Sequence, residues 1–291
     1  RLIGQKSKFP VSKIEVDINK DTGHISVYNN GQGIDVCQLE EYDNIYAPSL
    51  IFGKLLTGSN YDQEEEKTVG GKNGYGAKLC NIFSLYFKVE TIDAIRKLYF
   101  SQEFHNNMKV VDEPLVKPFK GKPFTRITFL PDYQKFGLSG MDEDTFALFQ
   151  RRVYEVSAWT SPTMEVRFNQ EKIGIKNFQE YVNLYLDDDQ ERVHEKINDR
   201  WEVVISYNND DNFKQVSLVN GICTRRGGKH VDYIVDQLKA KLGDYLAKKR
   251  KDIEIRPTTI KNQLFIFVRS VIVNPSFDSQ TKETLTTTKR I

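Results

Sequence analysis

Cysteine is scarce in this chain of 291 residues, whose three cysteines, Cys37, Cys80 and Cys223, lie far apart. An odd number at this spacing gives no disulfide framework and is typical of reduced intracellular proteins, in which thiols serve as small core residues. Long apolar runs are also missing, because no stretch approaches the ~18 residues that would span a bilayer. We therefore expect an intracellular protein without a membrane partner.

A dominant charge of either sign is missing as well. The 42 Lys and Arg residues nearly balance the 40 Asp and Glu residues, which leaves a formal net charge of +2. With so small a net charge, any binding to nucleic acid has to come from a local patch. The length predicts about two domains, each large enough to bury its own core.

The chain does contain a run of glycines directly before an apolar helical stretch. Residues 70–78 read Gly-Gly-Lys-Asn-Gly-Tyr-Gly-Ala-Lys, and Leu-Cys-Asn-Ile-Phe follows. Glycines allow backbone N–H groups to turn toward one point, and the start of a helix adds unpaired N–H groups and a partial positive charge. Together with Lys72 and Lys78, this pattern predicts a phosphate-binding loop.

Two familiar phosphate motifs do not fit this loop. A Walker loop would continue Gly76 with a lysine and a hydroxyl residue, but Ala77 follows, and Lys78 precedes Leu79. A dinucleotide fingerprint would need its third glycine where Leu79 stands. Taken alone, a glycine-rich loop can also be a simple turn. Other motifs have to decide between these readings.

Apolar periodicity predicts an α+β fold in two parts. The predicted strands lie near residues 14–18, 25–27, 86–91, 97–104, 124–130, 164–168, 201–207, 214–222 and 264–273, and the predicted helices near 50–55, 146–159 and 230–249. The pattern restarts after Pro162, which places a domain boundary near 163–175. We divide the chain into residues 1–168 and 169–291.

Four motifs in this order resemble the ATPase region of eukaryotic type IIA DNA topoisomerases. They are Asn-Gly-x-Gly-Ile at 30–34, Leu-Leu-Thr-x-Ser-Asn-Tyr-Asp at 55–62, the glycine loop, and Ser-Gln-Thr-Lys-Glu at 279–283. The resemblance runs along essentially the whole chain. It implies a GHKL (Bergerat-type) α/β sandwich at 1–168 with its N-terminal part missing, followed by a smaller, C-terminally truncated α/β transducer domain at 169–291.

The resemblance implies a set of nucleotide-binding residues. Asn29 would bind the adenine amino group, Ile34 would lie against the purine, and Thr125 would support adenine recognition. The residues implied for ribose and phosphates are Ser59, Asn60, Gly71, Lys72, Asn73, Gly74, Tyr75, Gly76, Ala77 and Lys78. Position 72 is Lys where relatives often have Arg, which keeps the charge but loses the bidentate fork. Without the resemblance, Asn29 would be read as a turn residue and the Ser-Asn pair as a loop or cap.

Gln280, Thr281 and Lys282 form the second distinctive motif. In the family, this glutamine and lysine reach the terminal phosphate of ATP. An ammonium there would offset charge that develops on the transferred phosphoryl group, and it would sense whether that phosphate is still attached. Gln280 and Lys282 are therefore the catalytic residues that the resemblance implies. The alternative is a solvated lysine in a surface loop.

A compact basic run, Lys248, Lys249, Arg250 and Lys251, ends the last long predicted helix. Cations at a helix C-terminus are favoured by the helix dipole alone, so the run can be a solvated cap. The family alternative is a lysine-rich transducer loop that touches the DNA backbone without sequence preference. Both readings stay open.

The function implied by the resemblance is that of an ATP-dependent type IIA DNA topoisomerase, in which ATP binding closes a dimeric gate during strand passage. Its cofactors would be ATP and Mg²⁺, its partner double-stranded DNA, its assembly a homodimer, and its location the nucleus. The family's general-base glutamate and Mg²⁺-binding asparagine belong to a helix that precedes the first strand found here. We therefore expect no metal ligand in this chain and negligible ATP hydrolysis by it alone.

Two alternatives are carried beside this reading. The first is another GHKL ATPase, such as a heat-shock chaperone or a mismatch-repair protein. The second is a non-catalytic nucleotide- or DNA-binding module that uses the same fold as a scaffold.

Overall fold

The computed structural model describes residues 8–55, 68, 70–71, 74–250 and 255–288. The chain divides into two compact units, one of Arg1–Asp62 with Gly71–Lys176, the other of Gln63–Gly70 with Asn177–Ile291. The division after Lys176 falls later than the expected 168/169, because the strands that contain Phe168 and Glu171 still pair within the first sheet.

The described part of the first unit is built on one sheet of nine strands. They are β1 (Lys13–Ile18), β2 (Ile25–Asn30), β5 (Ser84–Asp93), β6 (Leu98–His105), β7 (Val110–Val111), β8 (Leu115–Pro118), β9 (Phe124–Pro131), β10 (Glu165–Phe168) and β11 (Glu171–Lys172), while β3 (Gln38–Leu39) and β4 (Ile45–Tyr46) form a separate hairpin. The order in the sheet is β11-β10-β1-β2-β9-β5-β6-β7, with β8 also paired to β6.

The helices described in this unit are α1 (Ala47–Gly53), α2 (Tyr75–Ile82) and α3 (Glu143–Trp159). The first two accompany an aromatic core on one face of the sheet, where Phe52 packs against Phe87 and Phe104 packs against Phe87. Asp142 caps the start of α3, and its carboxylate accepts the Thr145 N–H at 2.7 Å. Such a cap satisfies one of the unpaired N–H groups at a helix start.

The described part of the second unit contains a five-stranded sheet and three helices. The strands are β12 (Arg192–Asn198), β13 (Trp201–Tyr207), β14 (Lys214–Val219), β15 (Ile222–Cys223) and β16 (Leu264–Ser270), in the order β12-β13-β16-β14-β15, and the helices are α4 (Phe178–Val182), α5 (Lys229–Lys249) and α6 (Pro257–Asn262). β16 runs parallel to β14 and antiparallel to β13.

The unbroken apolar sequence of β16 results from burial of both faces of the strand. Leu264, Ile266 and Val268 lie in one core cluster with the buried residues of α5. The alternate residues Phe265 and Phe267 contact Tyr185, with ring centroids 6.4 and 5.7 Å apart. Both faces of the strand are therefore covered, which removes the polar alternation expected of a half-buried strand.

The predicted α+β class is confirmed, but two strand predictions are wrong in extent. The predicted strand 214–222 is a hairpin, because Asn220 and Gly221 adopt positive φ angles of 50° and 81° and β15 turns back onto β14. Two consecutive residues at positive φ are what a tight hairpin turn requires. The predicted strand 264–273 ends at Ser270.

All three cysteines are free thiols, and burial raises the pKa of Cys80 to about 12 despite an opposing hydrogen bond with Ser84. Within the described ranges, no helix combines the length and the apolar character needed to cross a membrane.

Candidate nucleotide-binding site

Three neighbouring strands of the first unit place polar residues side by side. Asn29 of β2 stands in register with Thr125 of β9, and Thr125 stands in register with Thr91 of β5. Two of these residues, Asn29 and Thr125, are predicted site residues. The sheet therefore brings together two residues, Asn29 and Thr125, that are 96 positions apart in the sequence.

Thr91 was not predicted, yet its buried hydroxyl joins this row to the chain that follows β2. It donates to the Phe124 carbonyl at 2.9 Å and accepts the Ile34 N–H at 2.9 Å. The Thr125 hydroxyl lies 3.1 Å away. Because Thr91 is fully buried, each of these contacts satisfies a group that has no water to replace it.

The strand-end segment (residues 31–36) is fixed against the end of β5. Gly33 has a φ of +76°, and a Cβ added there would lie 1.9 Å from the Ile92 carbonyl oxygen. Asp93 accepts the Val36 N–H at 2.9 Å and is paired with Arg96 at 2.9 Å. Burial by itself raises the pKa of Asp93, but hydrogen bonds from Arg96, Val36 and Ile95 outweigh it and lower that pKa.

The geometry around Asn29 suits an amino group as its partner. The side-chain Nδ2 of Asn29 donates to the Asn30 carbonyl at 2.9 Å, which fixes the amide. Within the described part of the chain, no donor is recorded for the Asn29 Oδ1 atom. That oxygen is not one of the buried polar atoms that lack a hydrogen-bond partner. An accessible carbonyl oxygen accepts hydrogen bonds from an exocyclic amine. Ile34, the predicted purine contact, is partly buried and packs against the aromatic core cluster.

The glycine loop leads into α2 as predicted. Gly74 precedes the helix with a φ of +64°, and an added Cβ at Gly71 or Gly76 would meet nothing within 4 Å. The loop therefore leaves open space around its backbone at these positions, in contrast to the crowded Gly33.

Lys78 lies in the first turns of α2 and is only 3 % exposed. Among the residues that the structure describes, no carboxylate or hydrogen-bond acceptor is recorded for its ammonium group, and burial lowers its pKa. A cation on a residue with so little exposure is costly unless a partner compensates for the lost water. A phosphate oxygen would supply the missing partner, and the positive end of the helix favours an anion at the same place.

Four predicted nucleotide residues, Ser59, Asn60, Lys72 and Asn73, lie outside the described residues, as does Lys251 of the basic run. They remain predictions.

In the second unit, the Lys282 loop (residues 278–284) carries the predicted Gln280, Thr281 and Lys282. Its base is closed by two hydrogen bonds between Asp278 and Thr284, each 3.2 Å long. Lys282 has a φ of +59°, which is uncommon for a residue with a side chain. Within the described ranges no acceptor is recorded for its ammonium group, and burial lowers its pKa.

The described part of the basic run ends α5. Lys248 and Lys249 occupy its last turn, and Arg250 is its C-cap residue. The Lys249 ammonium lies 3.3 Å from the Tyr245 hydroxyl and 5.5 Å from the centre of its ring. These cations sit where the helix dipole favours them, which agrees with the cap reading and leaves the DNA reading untested.

One group of metal-ligand type occurs in the described residues, formed by Glu103, His105 and Asp112. His105 lies 3.2 Å from Asp112, and Glu103 lies 3.0 Å from the Lys88 ammonium. These side chains contact one another and a lysine, so they form an ordinary polar patch on the β6–β7 hairpin.

Comparison with known proteins shows which family the chain resembles. A solved structure of the ATPase and transducer domains of DNA topoisomerase II from Balamuthia mandrillaris superposes with a TM-score of 0.91 at 42 % identity, covering 98 % of this chain and 73 % of that one. The chain belongs to the DNA topoisomerase II family. The ATPase region of topoisomerase II from Saccharomyces cerevisiae gives a TM-score of 0.91 at 41 % identity, covering 98 % of this chain and 74 % of that chain.

Topoisomerase II sequences give the same result. DNA topoisomerase 2 of Acanthamoeba polyphaga mimivirus is 48 % identical over 278 residues, and that of Drosophila melanogaster is 46 % identical over 284 residues. These alignments cover 94 % and 95 % of this chain but 22 % and 19 % of the relatives, so the chain spans about a fifth of their length. The family model for DNA gyrase B matches residues 174–290.

Membership in the topoisomerase II family confirms the predicted resemblance and the predicted fold class, and it sets aside the chaperone and mismatch-repair readings. It does not by itself assign residues. Thr91 and Asp93, which fix the strand-end segment, escaped the sequence interpretation because a threonine or an aspartate in a strand carries no motif of its own.

Proposed function

We propose that this chain is the ATP-binding and transducer region of an ATP-dependent type II DNA topoisomerase. In the whole protein, ATP binding closes a dimeric gate, and hydrolysis resets it during passage of double-stranded DNA. The observation that carries the proposal is Lys78, a residue only 3 % exposed, whose ammonium has no recorded acceptor in the described structure and which lies near the start of a glycine-led helix. A triphosphate is the ligand that this arrangement favours.

The described residues divide the nucleotide between them. Asn29 accepts the adenine amino group, Thr125 supports it from the neighbouring strand, and Ile34 covers the purine. The backbone of Gly74–Ala77 and the Lys78 ammonium bind phosphate oxygens. Gln280 and Lys282 bind the terminal phosphate, where Lys282 offsets the charge that develops during phosphoryl transfer.

Mg²⁺ is the cofactor that accompanies ATP in this proposal, and it supplies charge neutralisation at the phosphates. It prefers oxygen ligands such as carboxylates. The described residues of the glycine loop and the start of α2 (Gly71 and Gly74–Lys78) contain no carboxylate, so they do not fit as a ligand set. No residue of this chain is assigned to the metal.

Replacing Lys78 with Met tests the nucleotide site. Loss of a charge-assisted contact with phosphate should weaken binding of a non-hydrolysable ATP analogue roughly 10- to 100-fold, measured by isothermal titration calorimetry. Lys120→Met is the matched control, because Lys120 is exposed. Equal affinities of the K78M variant and the unmodified protein would refute the phosphate role.

The basic run supplies a second test, for DNA. If Lys248, Lys249, Arg250 and Lys251 all neutralise backbone phosphates, replacing them with Ala should reduce the log–log salt slope of DNA binding by roughly three to four. Fluorescence anisotropy with a random-sequence duplex at several salt concentrations measures the slope. An unchanged slope would leave these residues as a helix cap.

The homodimer and a nuclear location are proposed for the whole protein on family membership alone. Sedimentation of the full-length protein with and without an ATP analogue tests the first, and imaging of a tagged full-length protein tests the second. A monomer at all nucleotide concentrations, or exclusion from the nucleus, would count against them.

A further inference from the structure

The Lys282 loop contains two acidic side chains, Asp278 at its base and Glu283 directly next to the lysine. Two arginines hold the Glu283 carboxylate: Arg225 Nη2 lies 2.7 Å from Oε1, and Arg226 Nε lies 3.2 Å from Oε2. The Arg226 N–H also donates to the Glu283 carbonyl at 3.0 Å. Side chain and backbone of Glu283 are therefore both tied to the turn that carries the arginines.

That turn is itself fixed to the base of the loop. Leu285 is buried and donates its N–H to the Gly227 carbonyl at 3.0 Å, and it accepts the Lys229 N–H at 3.0 Å. Gly228 has a φ of +124°, and an added Cβ would lie 2.3 Å from the Leu285 carbonyl oxygen. The base of the loop thus has one position relative to the turn.

The tip of the loop has fewer restraints. Lys282 is held by its N–H bond to the Ser279 carbonyl at 3.1 Å and keeps a positive φ. A lysine in this backbone conformation is costly, so neighbouring contacts have to hold it there. Glu283, the next residue, makes the charged contacts that can do so.

The charges also matter for what Lys282 can bind. A free carboxylate at position 283 would be the nearest acidic partner in sequence for the Lys282 ammonium, and pairing would compete with an anionic ligand. Two guanidinium groups already occupy both oxygens of that carboxylate. Lys282 has no recorded acceptor among the described residues, which is the state that a phosphate-binding lysine needs.

We propose that Arg225 and Arg226 act as a clamp on the Glu283 carboxylate. The clamped Glu283 is a positioning residue: it holds Lys282 in the positive-φ conformation and leaves the Lys282 ammonium available for the terminal phosphate. The proposal rests on the function proposed above, in which Lys282 binds that phosphate. Neither arginine is required to touch the nucleotide.

The variant Glu283→Gln distinguishes positioning of Lys282 by the clamp from a purely long-range effect of the Glu283 charge on nucleotide binding. The substitution removes a negative charge, so long-range attraction alone predicts tighter binding of the more highly charged nucleotide. The clamp predicts the opposite: the ratio of affinities for a non-hydrolysable ATP analogue and for ADP should fall about three- to tenfold, because Lys282 loses its position. Titration calorimetry with both nucleotides on the 291-residue protein gives the ratio. Glu195→Gln, an exposed carboxylate in the same unit, is the charge-matched control.

Lys282→Ala provides the reference and should lower the same ratio about tenfold. If it does, adding Glu283→Gln to Lys282→Ala should cause no further loss, because Glu283 acts through the lysine. An additive loss, or an unchanged ratio in the single Glu283→Gln variant, would overturn the clamp while leaving the role of Lys282 intact. An unchanged ratio in Lys282→Ala would instead overturn the proposed role of the lysine, and the clamp with it.

A conservative variant guards against simple misfolding. Arg225→Lys with Arg226→Lys keeps both charges but loses the planar forks. We expect it to retain more of the nucleotide ratio than Arg225→Gln with Arg226→Gln. Equal losses in the two double variants, at unchanged melting temperature, would contradict a role for ion pairing.

Discussion

The strand-end segment of the first unit and the Lys282 loop of the second are both irregular segments that neighbouring side chains hold in place, but the side chains differ in kind. Each is an irregular segment beside a glycine at positive φ, Gly33 or Gly228, that approaches another backbone carbonyl closely. The strand-end segment is then held by the buried side chains Thr91 and Asp93. The Lys282 loop is held by Arg225 and Arg226, whose side chains are 44 % and 74 % exposed.

This difference in burial predicts how rigid each segment is and how strongly salt affects it. Buried hydrogen bonds are insensitive to salt and costly to remove, so the strand-end segment should behave as a fixed wall. Exposed ion pairs contribute little stability and are screened by salt, so the tip of the loop can be positioned without being rigid. Under the proposed function, the fixed segment would contact the flat base, and the adjustable loop would contact a phosphate that is present before hydrolysis and absent after it.

The largest expected effect comes from Gly33→Ala. The added Cβ would lie 1.9 Å from the Ile92 carbonyl oxygen at a φ of +76°, so the strand-end segment has to move. We expect destabilisation by about 3–4 kcal/mol, from strain and overpacking together. The midpoint of urea unfolding measures it.

Gly140→Ala is the matched control for Gly33→Ala. An added Cβ at Gly140 meets nothing within 4 Å, and its φ is not in the left-handed region. Its unfolding midpoint should stay close to that of the unmodified protein. If Gly33→Ala were equally well tolerated, the strand-end segment would not be the fixed wall that the comparison describes.

The second effect is a pH dependence located in the second unit. His230 hydrogen-bonds to Thr224 at 3.1 Å, at the turn that supports the Lys282 loop, and burial lowers its pKa from 6.5 to about 4. Between pH 6.5 and 4 the unfolded chain therefore binds more protons than the folded chain at this site. Stability should fall by up to about 3 kcal/mol as the pH drops through that window.

Asp93 gives the contrasting behaviour in the first unit. Its folded pKa is below the model-peptide value of 3.8, so its stabilising contribution is complete above that value and is lost only at lower pH. Unfolding free energies measured from pH 7 to 4 should show a decline that His230→Gln flattens. A decline of unchanged size in His230→Gln would assign the pH dependence to other groups.

The parts of this comparison that sequence could predict are those with local signals. Alternation gave β1, β2 and β5, and the glycine motif gave the start of α2. The Asn220-Gly221 turn also carries a local signal, since Asn-Gly favours a tight hairpin, so the single predicted strand 214–222 is wrong at a position where the sequence does favour a turn.

The remaining parts depend on pairings between distant residues. Thr91 matters because β5 lies beside β9, which puts it opposite Thr125, and nothing near position 91 in the sequence announces that. Glu283 and Arg225 are separated by 58 positions. The glycine motif predicts Lys78 as a phosphate ligand, but its burial, with no acceptor recorded among the described residues, follows only from the packing of α2.

The smallest expected effect, the loss of stability in Glu283→Gln, tests most directly whether the Lys282 loop and the strand-end segment differ in rigidity. Glu283→Gln should reduce the free energy of unfolding by no more than about 1 kcal/mol at low salt, because both arginine partners are exposed. The reduction should shrink further in about 1 M salt, where the screening length is roughly 3 Å. Thr91→Val, which leaves the Ile34 N–H without its acceptor, should cost more and show no such salt dependence. Urea unfolding of both variants at two salt concentrations tests this. A large, salt-independent loss in Glu283→Gln would mean that the loop is held as rigidly as the wall, and its effect on nucleotide discrimination would then follow from unfolding of the loop rather than from the position of Lys282.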